Sequence, residues 1–463
     1  MTETCCGYRT DRMIQSLTVI LLYLASLPVF ALILARQPHK DLPPWAICLS
    51  LVATETSTLT IVSVPGVAFL HGYVFLGLAL GYLFGRIAVA IWFLPLHERG
   101  ATSIYRYVGQ RFGHRLQKLV SGTFLLTRLL AEGVRLYAGM LPVSLLFASI
   151  GYPVPDFVLL MGIVVLTLAY TLAGGLKAVV WSDTLQLVLY LGGSAACGIV
   201  LFDRIGHAVF HAAPFFTYGL PSFTNPFSVT GAVVGGAILS LASHGTDQLM
   251  LQRCLAARTL GGARAAMIGS VFVVALLFAL LSFIGVGLHV LWPEYQGAPD
   301  ALFPKFILTL PPILRGLLIA GILAATMGSL SSAMNSMAAA TRSDFFPKNT
   351  LSLRTATSFW AVLLVATALL FSHPTGSAVV FGLSIASYSY GATLGIFLLA
   401  MLAHSRDEAS GIAGFLVSIA VLGLLAMVRL DGHPIAFPWL VPAGVIAAFI
   451  GATVFSKLRR IGF

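Results

Sequence analysis

Apolar runs of about twenty residues recur along the whole 463-residue chain, separated by short polar or basic stretches. A helix needs about 20 mostly apolar residues to cross the hydrocarbon core of a bilayer. Thirteen stretches meet that rule, near 13–35, 46–70, 73–96, 119–147, 154–173, 180–202, 229–251, 264–291, 313–341, 355–372, 377–403, 410–429 and 437–456. The pattern predicts an all-α integral membrane protein of about thirteen transmembrane helices, forming a single transmembrane domain over residues 1–463. The first run, from Met13 to Ala35, is longer than the apolar core of a signal peptide and reads as a span. No polar segment is long enough to build a separate soluble core.

Composition sharpens this picture. Charged residues make up 9% of the chain and hydrophobic ones 58%, whereas soluble proteins carry about 25% charged residues. So few charges cannot cover a water-facing surface, which excludes a secreted enzyme and leaves a lipid bilayer as the surroundings. The net charge of +11 comes from basic residues scattered over connections, so it marks no nucleic-acid surface. One alternating set of connections holds eighteen basic residues, Arg253 among them, and the opposite set holds six, including Arg315. Basic residues favour the cytoplasmic side, so the N-terminus is expected outside and the C-terminus in the cytoplasm of a cell membrane. The five cysteines, Cys5, Cys6, Cys48, Cys197 and Cys254, have neither metal-ligand spacing nor the look of a disulfide framework.

Ionisable groups inside a bilayer are costly and mark function by default. Inside or close to spans lie Glu55, Arg86, Arg128, Glu132, Arg135, Asp183 and Asp247. The second span carries ATETSTLTIVSVPG over 53–66, where β-branched hydroxyl residues and Pro65-Gly66 weaken a continuous helix. A broken helix is expected there, the alternative being an intact span whose hydroxyls bond back to their own carbonyls. The seventh span repeats the theme with GGAILSLASHGTDQ over 235–248, polar around Gly245. Two interrupted spans in corresponding positions suggest inverted repeats, spans two to six and seven to eleven. In the ninth span Ala325, Ser329, Ser332 and Ser336 share a helical face, with Gly328, Ser331 and Asn335 beside it. So many hydroxyl and amide oxygens exceed what helix packing needs and suit a hard cation without redox chemistry. In the fourth span Arg128, Glu132 and Arg135 lie on one side of a helix, either as a structural ion pair or with a spare guanidinium for an anionic substrate. His244 and Asp247 lack a nucleophile or metal-ligand set, so no enzyme is expected.

These segments resemble the sodium/solute symporter family, whose members include sodium-coupled transporters of proline, sugars, sialic acid, iodide and monocarboxylates. The most specific likeness is GGLKAVVWSDTLQ at 174–186, supported by ATETSTLTIVSVPG, by SHGTDQ with QRCLAAR at 243–258 and by AATMGSLSSAMNSMAA in span nine. It covers roughly residues 40–345. The resemblance implies a LeuT-like core of two inverted five-helix repeats, over 46–202 and 229–403, with a peripheral first helix at 13–35 and two C-terminal helices at 410–456. It implies sodium held by the carbonyls of Ala53, Thr56 and Ala325 and the hydroxyl of Ser329, with Glu55 standing where proline symporters have an Asp. Asp183 with Ser331 and Ser332 resembles a second cation site. Gly328 departs from the pattern, since most members carry a hydroxyl there; a proton on Glu55 or Asp183 is the competing driver. Thr60, His244, Gln248 and Arg135 are the expected substrate contacts, and Thr60 replaces a Gln of the sugar members, which favours a small carboxylate or amino acid. The expected function is cation-coupled symport of a small solute by alternating access, with sodium as coupling ion and no other cofactor. A proton-coupled or uncoupled transporter of the same fold is the alternative, and a membrane sensor, which would need a partner protein, is the second.

Overall fold

The computed structural model describes residues 14–26, 29, 33, 42–96, 103–149, 151–211, 222–346, 350–371, 377–402 and 407–461. Its helices are α1 (Ile14–Ser26), α2 (Pro44–Glu55), α3 (Thr58–His71), α4 (Val74–Ala88), α5 (Arg106–Arg111), α6 (His114–Ser149), α7 (Asp156–Ile205), α8 (Gly236–Gly245), α9 (Gln248–Leu255), α10 (Leu260–Leu291), α11 (Pro299–Leu308), α12 (Pro312–Ala340), α13 (Leu353–Leu370), α14 (Ala378–Leu402), α15 (Glu408–Met427) and α16 (Phe437–Arg460). A short hairpin, Arg429–Leu430 with His433–Pro434, joins the last two.

Among the described residues nine helical stretches are long and apolar enough to span a membrane, and α2 with α3 forms a further candidate bent by 62°. Shorter apolar helices over Ile14–Ser26, Asp156–Ala169 and Gly231–Gly245 occupy the first, fifth and seventh expected runs. The fifth and sixth runs differ from expectation. Helical backbone continues from one to the other as the 50-residue α7. That many residues rise about 75 Å, more than twice the core of a bilayer, so α7 cannot be one straight crossing.

Helix α12 is the centre of the bundle. In its most apolar window 83% of residues are buried, against 33% in α15 and in α16. A helix with no lipid face can carry hydroxyls along its length, whereas α15 and α16 show lipid-facing side chains such as Leu424 and Ile450. α7 packs on α12, α3 on α10, and α4 on α8. The α4–α8 contact needs glycine: a Cβ on Gly81 would stand 2.5 Å from the Val233 carbonyl, and one on Gly85 would run into that of Ala237.

Candidate functional site

The first break separates α2 from α3 at Thr56 and Ser57. Thr56 leaves helical geometry with ψ of 66°, while its N–H still donates to the Val52 carbonyl at 2.7 Å. Its hydroxyl donates to the same carbonyl at 2.5 Å. The Tyr190 hydroxyl of α7 lies 3.1 Å from the Thr56 hydroxyl and donates to its carbonyl at 3.3 Å. Ser57 is extended and its side chain does not cap α3. Thr58 bonds Thr326 of α12, hydroxyl to hydroxyl, at 2.7 Å, which fixes the start of α3 to the central helix. The break therefore lies some eight residues before Pro65-Gly66, which sits inside α3. That pair is a packing notch. The Pro65 carbonyl abuts Gly285 of α10, and Gly66 abuts the Pro299 carbonyl of α11, leaving no room for a Cβ on either glycine.

The second break separates α8 from α9. Thr246 ends the helical ladder and Asp247 is extended, with ψ of 123°. The Asp247 carboxylate accepts from the Leu249 N–H at 2.9 Å, pairs with Arg128 of α6 and accepts from the Tyr390 hydroxyl of α14 at 2.7 Å.

Both breaks open onto one cavity of about 1100 Å³, counted with its mouth. Its wall includes Glu55, Thr56, Ser57, Thr60, Tyr82, Tyr105, Arg128, Arg135, His244, Asp247 and Tyr390. Of the expected substrate contacts, Thr60, His244 and Arg135 are on that wall. Gln248 is not among the lining residues; its side-chain oxygen accepts from the Ile104 N–H at 2.7 Å and tethers the segment before α5.

The charges of the site are arranged as chains. Arg135 bonds Glu132 at 2.5 Å, Glu132 also accepts from Arg128 at 3.2 Å, and Arg128 holds Asp247. The Nε of Arg135 is buried without a hydrogen-bond partner among the described residues, though the side chain as a whole is 18% exposed. Glu55 pairs with Arg86, which also reaches Ser270. His244 Nε2 lies 3.7 Å from Glu55 and has no hydrogen-bond partner among the described residues, while its Nδ1 meets the Ser243 hydroxyl at 2.9 Å. No three His, Cys, Asp or Glu residues among those described gather as a metal-ligand set.

On α12 the hydroxyls of Ser329 and Ser331 are buried and have no hydrogen-bond partner among the described residues. Helical hydroxyls usually bond back to the preceding turn, as Thr326 does to Ile322 at 2.8 Å. These two hydroxyls make no such bond. Ser332 is engaged: it accepts from Arg253 at 2.7 Å. Asp183 accepts from Arg253 at 3.1 Å and from Ser50 at 2.9 Å. Arg253 thus does not belong with the loop cations; it is 1% exposed on α9. Arg315 is likewise buried, donating to Ser16 at 2.9 Å. At Gly328 the Gln186 carboxamide oxygen stands too close to where a Cβ would lie for one to fit, and an Asp183 oxygen is 3.1 Å from the same point.

Four residues of this arrangement escape a reading of the spans alone: Tyr190, Gln186, Tyr390 and Arg253. Gln186 and Tyr190 follow Asp183 at helical spacing, a signal that was present in the sequence. Tyr390 carries no such signal, because α14 is distant in the chain.

The family model of the sodium:solute symporter family matches residues 38–418. The chain belongs to the sodium:solute symporter family. It is a multi-pass membrane protein of that family and shares 29% identity with the human sodium/iodide cotransporter, over 66% of this chain and 50% of the relative. The rabbit (Oryctolagus cuniculus) sodium-dependent multivitamin transporter is also 29% identical, over 88% and 67%. Human sodium-coupled monocarboxylate transporter 2 is 28% identical, over 81% and 64%. This symporter-family chain thus spans about half to two thirds of the length of these relatives. Among solved structures, a sodium-coupled sialic acid symporter in a substrate-bound, outward-open state superposes with a TM-score of 0.81 at 22% identity, covering 96% of this chain and 98% of that one. A nucleobase-cation-symport-1 family transporter in a closed conformation follows at 0.62, with 13% identity and coverage of 92% and 95%. The shared fold is the LeuT-like transporter fold.

Proposed function

We propose that this protein is a secondary active symporter of the plasma membrane that couples sodium entry to the uptake of a small organic anion, a carboxylate or an amino acid, by alternating access. The observation that carries this reading is the cavity at which both helix breaks meet, with the Arg135 guanidinium on its wall. An entering carboxylate would meet the exposed part of that side chain at the cavity wall. Relatives named for iodide and monocarboxylates transport anions, in keeping with such an anchor. Thirteen crossings with the N-terminus outside, and two inverted repeats over 46–202 and 229–403, complete the proposal. Removing the buried Arg253 and Arg315 from the count of connecting charges leaves the inside bias at seventeen to five.

Sodium would sit between the end of α2 and α12, using carbonyls of Ala53, Thr56 and Ala325 with the free Ser329 hydroxyl. The last carbonyls of a helix lack partners within it, and the helix end adds about half a negative charge. A proton carrier fits less well. Glu55 and Asp183 each face a buried arginine, and neutralising either would strand a guanidinium charge away from water. The energy suffices: one charge moving through about 150 mV releases roughly 3.5 kcal/mol, and a tenfold gradient adds about 1.4 kcal/mol.

Uptake into proteoliposomes, with sodium and pH gradients imposed separately and a panel of monocarboxylates, amino acids and sugars, tests the proposal. A monocarboxylate or amino acid should accumulate only with inward sodium. Accumulation that follows the pH gradient and ignores sodium would defeat it.

A further inference from the structure

Arg253 joins four helices. From α9 its Nη2 donates to Asp183 of α7 at 3.1 Å and to the Ser332 hydroxyl of α12 at 2.7 Å. Its Nε donates to Ser50 of α2 at 3.0 Å, and its Nη1 to the Leu249 carbonyl at 2.6 Å. Asp183 and Ser332 are two of the three residues at which a second cation was expected. We propose that Arg253 is a built-in cation that occupies this second position permanently, so that the protein couples to one mobile sodium ion. This rests on the sodium-symport reading above.

The charge balance supplies the reason. Asp183 is the acid that faces the position, and the Arg253 guanidinium already offsets it at ion-pair distance. The other groups around it, Ser50, Gln186 and Ser332, are neutral, and the neighbouring Glu55 and Arg86 compensate each other. A sodium ion added here would bring an unbalanced positive charge into the bundle, where uncompensated charge is strongly disfavoured. The free Ser331 hydroxyl offers an oxygen but no charge. The proposed sodium position at Ser329 would differ, because there the helix end of α2 would supply negative potential. A guanidinium tethered to α9 also cannot leave with the solute, so it adds no ion to the transport cycle.

The test is equilibrium binding of radioactive sodium to the purified full-length chain at saturating concentration. One ion per chain is expected for the wild type. Arg253→Ala should bind two, and Arg253→Ala with Asp183→Asn should return to one. Arg253→Lys, which keeps the charge, should also stay at one. Two ions in the wild type would overturn the inference alone, and so would a folded Arg253→Ala that still binds one. No sodium in the wild type would overturn it together with the symport reading. The wild-type count decides the matter even if Arg253→Ala does not fold.

Discussion

The two helix breaks face the same cavity but are finished differently. At the second, the protein supplies the charge itself: Asp247 caps α9, binds Arg128 and takes the Tyr390 hydroxyl. At the first, Ser57 provides no cap, and the Tyr190 hydroxyl is the group that reaches the Thr56 carbonyl. The orphan hydroxyl of Ser329 lies on the central helix to which this break is tied through Thr58 and Thr326. A latched break is a fixed element of the wall. An unlatched one is suited to an ion that comes and goes, with the ion completing what the chain leaves open.

The largest effect expected from breaking this comparison is at Asp247. Asp247→Ala removes a helix cap worth about 1 kcal/mol and leaves the buried Arg128 to share Glu132 with Arg135, a loss of roughly 3–5 kcal/mol. Thermal unfolding in detergent should fall sharply and sodium should not restore it. Asp247→Asn, which can still cap, should lose less. Equal behaviour of the two substitutions would show that the cap contributes nothing, and wild-type stability in Asp247→Asn would show the same of the ion pair.

A much smaller effect is expected at Pro65. Since it sits within α3 and the bend lies at Thr56–Ser57, Pro65→Ala should shift stability by no more than about 1 kcal/mol and leave uptake intact. A collapse of transport with the fold preserved would return the hinge to Pro65-Gly66.

How far the sequence revealed this arrangement differs between backbone and charges. Apolar runs and interrupted spans were legible because the bilayer demands them, and the breaks in α2–α3 and α8–α9 fall within the two segments singled out for their polarity. The placement of the first break was not, since proline is the strongest helix breaker by local rules while here tertiary packing against Gly285 and Pro299 absorbs it. Thr56, whose hydroxyl competes for the Val52 carbonyl, ends α2 instead. Which arginine meets which acid was also hidden. Arg128 with Glu132 is a helical i, i+4 pair and could be read; Arg86 with Glu55 and Arg253 with Asp183 are brought together only by folding. Arg253 looked like an orienting charge because α9 is short and polar for a membrane helix.

The most direct test of the central claim, that the first break is completed by sodium, is the thermal shift that sodium alone produces in the purified protein and in Ser329→Ala. At a sodium concentration about 100 times its dissociation constant, binding stabilises by about 2.7 kcal/mol. The wild type should therefore gain clearly in sodium and not in choline, and Ser329→Ala should gain nothing at the same concentration. An equal gain in both proteins, or none in the wild type, would contradict the account.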